Sequence, residues 1–297
     1  MSQELPLAEL LAMPFLQRAL LAGLLSGLLG GLLGGFAVLR QLSFFTDALG
    51  HAALLGIALG VMLGLKEPTL VLIPFAVLFA LGVNQLARRS RLPGDALLNI
   101  IYSSALALAV LVLSRVPGWQ GGIEQLLFGD ILGISWGDLW VIGGLLVLAV
   151  GYVTVSLRAQ VLLTLDDDLA GAFGVRVNAH RLAFIILLGV VVAVSVKAVG
   201  VLLISAFVVI PACASRLVSR RLPLYVLGAS LLGGLCALVG LLASGLTNLP
   251  SGPCVVIVQF TGFVLALLVS LRRPGPPPGP APAAAPGSLP PGRAGLG

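Results

Sequence analysis

Apolar runs of about twenty residues recur along most of this chain, and that recurrence leaves few folds open. A helix rising 1.5 Å per residue needs roughly 20 apolar residues to cross a hydrocarbon core of about 30 Å. Nine segments fit: 15–39, 44–64, 68–87, 96–114, 138–157, 182–199, 200–218, 223–245 and 253–271. Inside lipid each backbone N–H and C=O must be satisfied within its own segment, so such runs form helices. The expected fold is all-α, a polytopic transmembrane helical bundle. Only Lys197 to Gly200 parts the sixth and seventh segments, and fusing them gives eight spans. Charged residues are 9% of the 297, against about 25% in soluble domains, which excludes a globular domain with an anchor.

The cations sort by side. Arg40; Arg88, Arg89 and Arg91; Arg158, Arg176 and Arg181; Arg216, Arg220 and Arg221; and Arg272, Arg273 and Arg293 fall in one set of connections. Arg18, Lys66, Arg115 and Lys197 fall in the other. Thirteen against four places the N-terminus outside and the C-terminus in the cytoplasm. A net charge of +6 distributed at the ends of apolar runs is a topology signal, not a nucleic-acid footprint. The first seventeen residues carry Glu4 and Glu9 and no Lys or Arg, so they do not read as a secretory signal. Cys213, Cys236 and Cys254 lie in apolar runs, with neither disulfide nor metal-site spacing.

The organisation expected is an N-terminal segment 1–14, a membrane domain 15–271 and a Pro-rich cytoplasmic tail 272–297. From Pro274 the composition turns to Pro, Gly and Ala and cannot build a core, so the tail is expected to be disordered. The first span carries Gly23, Gly27, Gly31 and Gly35, with Gly30 and Gly34 between. Small residues four apart let helix backbones approach closely, here chiefly within the subunit, with a dimer seam as the other reading. The stretch 118–137, with Trp119, Glu124, Asp130 and Trp136, reads as an outer loop.

Two polar features stand out. On the inner side, residues 161–180 contain Asp166, Asp167, Asp168, Leu169, Ala170, Phe173 and Gly174. Thr164 or Asp166 is placed to cap a short surface helix and Gly174 to end it. Leu169 and Phe173, four apart, form a small apolar face, and a docking surface is favoured over a solvated turn. Three consecutive carboxylates on a helix do not converge on one ion, so a metal site is disfavoured. Within the second span, Asp47 and His51 share a helix face. A charge there costs on the order of 3 kcal/mol, so its presence suggests use. A carboxylate beside an imidazole suits zinc, manganese or ferrous iron, and no Cys or Met lies near to favour cuprous copper. The other reading is a structural polar pair, with Arg40 as the partner of Asp47. Two ligands make half a site; the same pair from a second subunit would supply four.

The run Arg40, Ser43, Asp47-Ala-Leu-Gly-His51-Ala and Gly56-Ile-Ala-Leu-Gly60 resembles the signature of bacterial ABC-transporter permeases for zinc, manganese and iron. The family usually has Ser where Gly50 stands, a small-for-small exchange expected to be harmless. The segment around Asp166 to Gly174 resembles its ATPase-docking loop, Gly200 to Ala212 its late-span motif, and Leu249-Pro250-Ser-Gly252-Pro253 the loop before its last helix. The resemblance covers about 15–271. It implies a permease homodimer in the bacterial inner membrane, docked to an ATP-binding subunit and served by an extracytoplasmic metal-binding protein. It also implies a divalent metal ion as transported substrate with no permanently bound cofactor, which agrees with the metal reading of Asp47 and His51 made from the residues. The chain's lysines, Lys66 and Lys197, do not follow glycine, so it has no phosphate-binding loop and a partner must hydrolyse ATP. An ion-coupled carrier and a permease for a siderophore or cobalamin chelate are the competing readings. A membrane enzyme is disfavoured, since HExxH is absent.

Overall fold

The structure, a computed structural model, describes residues 13–65, 71–90, 92–115, 129 and 131–272. Every element among them is helical. In chain order they are α1 (Pro14–Leu39), α2 (Ser43–Met62), α3 (Leu72–Arg89), α4 (Gly94–Leu113), a 3-10 turn (Ile131–Gly133), α5 (Trp136–Val155), α6 (Leu157–Leu165), α7 (Asp167–Ala172), α8 (Val177–Val199), α9 (Val201–Val218), α10 (Leu222–Thr247) and α11 (Ser251–Arg272). The nine expected apolar segments are nine separate helices. Eight are long and apolar enough to cross a membrane; α3 falls short. Asn84, Gln85, Arg88 and Arg89 occupy its last turns and lower its hydropathy.

The eight do not arise by fusing α8 and α9. Those helices part at Gly200, whose φ of 86° lies where a Cβ is strained. The expected tail, the extreme N-terminus and most of the outer loop lie outside the described residues. Of that loop's named residues, Trp136 is described; it opens α5.

Burial sorts the helices into an inner and an outer set. In α1, α2 and α8 67% of the best spanning window is buried, against 22% in α4 and α5 and 11% in α11. The outer helices expose large apolar side chains such as Leu111, Val147 and Ile257, as a lipid-facing surface requires.

Lipid tails are as apolar as leucine, so close packing and interhelical hydrogen bonds join such helices. The glycines of α1 supply the packing. A Cβ on Gly31 would strike the carbonyl of Ala229, one on Gly34 the carbonyl of Val208, and Gly27 and Gly233 face each other backbone to backbone. The glycine stripe is therefore an intrasubunit seam joining α1 to α10 and α9. Hydroxyls reinforce it: Ser230 Oγ donates to the Leu28 carbonyl at 2.8 Å, and Tyr225 Oη to the Gly35 carbonyl at 3.0 Å.

Gly31→Val should overpack this seam at a cost of about 1–3 kcal/mol, read as a lower melting temperature in detergent. Gly143→Ala, in α5 with nothing within 4 Å of its added carbon, should be neutral or slightly stabilising. Equal melting temperatures for the two variants would remove the seam from its central role.

Candidate functional site

The second span starts from a strained corner. Gln41 N–H donates to the Val38 carbonyl and Leu42 N–H to the Ala37 carbonyl, the paired bonds of a Schellman ending. Gln41 takes the left-handed position, φ 57°, that glycine usually fills. The turn leads straight into α2.

Between Phe44 and Gly60 almost every residue of α2 is buried. The exceptions are Phe44, Asp47, His51, Leu55 and Leu59, spaced three or four apart along one line. Both polar residues of the helix pair therefore lie on its single open stripe. His51 Nδ1 is 2.9 Å from the Asp47 backbone carbonyl. A carbonyl only accepts, so Nδ1 carries the proton and the Nε2 lone pair is left free. The same Nδ1 is 3.6 Å from Asp47 Oδ1. The imidazole also leans on Tyr102 of α4, ring centres 5.6 Å apart.

Asp47 has a partner that sequence spacing did not suggest. Ser205 Oγ, on α9, lies 3.3 Å from Asp47 Oδ1 and 3.2 Å from the Val201 carbonyl. Ser205 was legible as part of the late-span motif, but not as a neighbour 158 residues away. Arg40, the alternative partner for Asp47, turns elsewhere. Its Nη2 donates to Gln160 Oε1 at 2.5 Å and to the Gln160 carbonyl at 2.9 Å, and its guanidinium lies 4.7 Å from the Phe184 ring centre. Burial, chiefly, pulls its pKa down to about 10, so it stays charged at neutral pH. Among the described residues no three His, Cys, Asp or Glu side chains cluster as a metal cage would require. Asp47 and His51 are brought together, but as a pair.

The acidic run divides its labour. Asp166 is the N-cap of α7, accepting from Leu169 N–H at 2.9 Å, while Thr164 bonds back to the Val161 carbonyl. Asp167 pairs with Arg181 of α8, and Asp168 is exposed. Gly174, φ 76°, ends the helix through paired bonds from Gly174 to Gly171 and from Val175 to Ala170. Ala170 is fully buried, whereas Leu169 and Phe173 point outward at 41% and 57% exposure. Beside α7 lies a cleft of about 470 Å³ lined by Arg40, Arg88, Asp95, Asp166, Asp167 and Arg181 among others.

These features define a polytopic helical membrane protein of the permease class, with a polar pair on a central helix and an acidic helix at the Arg-rich end. The chain belongs to the ABC 3 transport family, which matches residues 12–270. It is 30% identical over 265 residues to the manganese transport system membrane protein MntC of Halalkalibacterium halodurans, covering 89% of this chain and 90% of that one. It is 31% identical over 249 residues to the high-affinity zinc uptake system membrane protein ZnuB of Haemophilus influenzae, covering 84% and 95%. It is 29% identical over 274 residues to the chelated iron transport system membrane protein YfeD of Yersinia pestis, covering 90% of each. Among solved structures, PsaBC from Streptococcus pneumoniae in complex with Fab is similar, with a TM-score of 0.77, 27% identity, and 88% of this chain and 95% of that chain covered.

The division of labour among the acids has a measurable consequence. Asp166→Ala should remove the N-cap of α7, worth about 0.5–2 kcal/mol locally, and speed amide exchange from Leu169 to Ala172. Asp168→Ala should leave that exchange unchanged. Equal exchange in the two variants would contradict the cap assignment.

Proposed function

We propose that this chain is the transmembrane subunit of an ATP-driven importer of a divalent transition-metal ion, zinc, manganese or iron. The observation that carries the reading is the placement of Asp47 and His51 on the one open stripe of a buried helix, with His51 Nε2 free to bind. Carboxylate and imidazole suit these three ions. The names of the manganese, zinc and chelated-iron relatives support the same class of cargo.

Two ligands hold an ion weakly, so a homodimer brings the same pair from each subunit to one axis, where four donors surround the ion. Weak binding also suits a conduit, which must release what it takes. Ser205 steadies the Asp47 carboxylate. The positive-inside distribution puts the α7 end in the cytoplasm of a bacterial inner membrane. There Asp166, Asp167, Asp168, Leu169, Ala170, Phe173 and Gly174 form the docking surface for a separate ATP-binding subunit. Leu169 and Phe173 supply its exposed apolar contact. ATP hydrolysis in that partner drives alternating access, and an extracytoplasmic binding protein delivers the ion to the far side. A chelate such as a siderophore complex is the second reading, carried by the chelated-iron relative.

Cells with this chain and its ATPase should hold more of one metal than cells without it. Asp47→Ala and His51→Ala should each lower that uptake roughly 10- to 100-fold, at least the loss that follows removal of a metal's outer-shell partner. Unchanged uptake in both variants refutes the pathway assignment, and uptake of chelate but not free ion selects the second reading. A dimer whose two Asp47 carboxylates stand well over ~10 Å apart has no shared site, since zinc–ligand bonds are about 2 Å.

Replacing Asp166, Asp167 and Asp168 together should weaken retention of the ATPase on purification while metal binding persists. Full retention after that change would reject the docking surface.

A further inference from the structure

We infer that Arg40 and Gln160 form the joint through which movement of α7 reaches α2. They are positioning residues for transport, and the inference rests on the reading of α7 as the ATPase-docking helix.

Gln160 is fully buried in α6, yet its amide is the meeting point of four elements. Its Oε1 and its backbone carbonyl both accept from Arg40, at the corner between α1 and α2. Its Nε2 donates to Tyr152 Oη of α5 at 2.8 Å and to Ser156 Oγ at 3.2 Å. Tyr152 Oη in turn donates to the His180 carbonyl of α8 at 3.1 Å. The Arg40 guanidinium lies over the rings of Phe184 on α8 and Phe36 on α1, at 4.7 and 5.9 Å from their centres.

The chain on either side of the joint is stiff. Only Asp166 parts α6 from α7, and it is itself the N-cap of α7. A push on α7 therefore moves Gln160 with little give. On the other side, Gln41 and Leu42 alone separate Arg40 from the first residue of α2, and Asp47 follows one turn later. Beside the joint, the cleft lined by Arg40, Asp166 and Asp167 leaves the two helix groups room to shift.

Signals pass between sites through elements with two discrete arrangements. The guanidinium has the capacity for a second one. Both of its hydrogen bonds to Gln160 come from Nη2, while the buried Nε has no partner. Stability alone does not call for a buried charge here, because an apolar pair of similar volume commonly serves as well.

The test uses the whole transporter with its ATPase, reconstituted in lipid vesicles, with Mn²⁺ or Zn²⁺ as the probe. Gln160→Leu should keep the ATPase bound and its hydrolysis within about twofold, while ions moved per ATP fall about tenfold, inside the 5- to 150-fold range of measured coupling. Gln160→Glu keeps the acceptor and should restore the ratio to within about twofold. The double variant Arg40→Leu/Gln160→Leu removes both polar partners, which guards against a folding defect, and should show the same tenfold loss.

An unchanged ratio in Gln160→Leu overturns the inference. So does a Gln160→Glu variant as impaired as Gln160→Leu, or a loss of ATPase binding in step with transport. Failure of the docking reading is seen separately, as an unaltered chain that retains no ATPase, and it removes the inference too.

Discussion

The rest of the molecule depends on backbone-to-backbone contact along α1. With Gly27, Gly31 and Gly34 bare of side chains, α1 sinks against α10 and α9 until main-chain atoms touch. In a medium that gives no hydrophobic drive, this close fit and the hydroxyl bonds across it hold the helices together. The seam fixes where α1 ends. The Schellman turn at Arg40 to Leu42 then fixes where α2 begins, so the position of Asp47 is set by glycines on the preceding helix.

Polar groups in lipid must find partners or be used. Ser230, Tyr225 and Ser215 spend their hydroxyls on carbonyls of neighbouring helices. Arg40 Nη2 and Gln160 bond to one another, while the buried Nε of Arg40 has no partner. Asp47 and His51 differ, because their internal contacts leave the open side of the carboxylate and His51 Nε2 uncommitted. Those uncommitted positions on the open stripe are the ground on which the proposed pathway role of the pair rests.

The sequence was most informative where the physics is local. Span positions follow from hydropathy, the end of α7 from Gly174, and the pairing of Asp47 with His51 from helical spacing. Choosing Asp166 over Thr164 as the cap required the structure, because both types cap well and only geometry decides. The alternative count of eight rested on fusing the sixth and seventh segments, but Gly200 breaks the backbone between α8 and α9, and the segment that falls short is α3, whose last turns are polar. The contacts of Arg40 with Gln160 and of Ser205 with Asp47 join residues 120 and 158 positions apart, and no local rule reaches that far. The i, i+4 glycines announced a close contact but not its partner.

Gly50 shows how a departure from a familiar motif is absorbed. The resembled family usually carries serine there, and the exchange looked neutral by size. In this chain a Cβ at position 50 would lie 2.8 Å from Val201 Cγ1. Serine at 50 and this placement of Val201 therefore exclude one another unless the valine side chain shifts. Val201 is the first residue of α9, and its carbonyl shares the Ser205 hydroxyl with Asp47. The bare glycine thus lets the start of α9 settle against α2 one helical turn from the polar pair. The same approach leaves the Ser205 hydroxyl of α9 3.3 Å from Asp47 Oδ1.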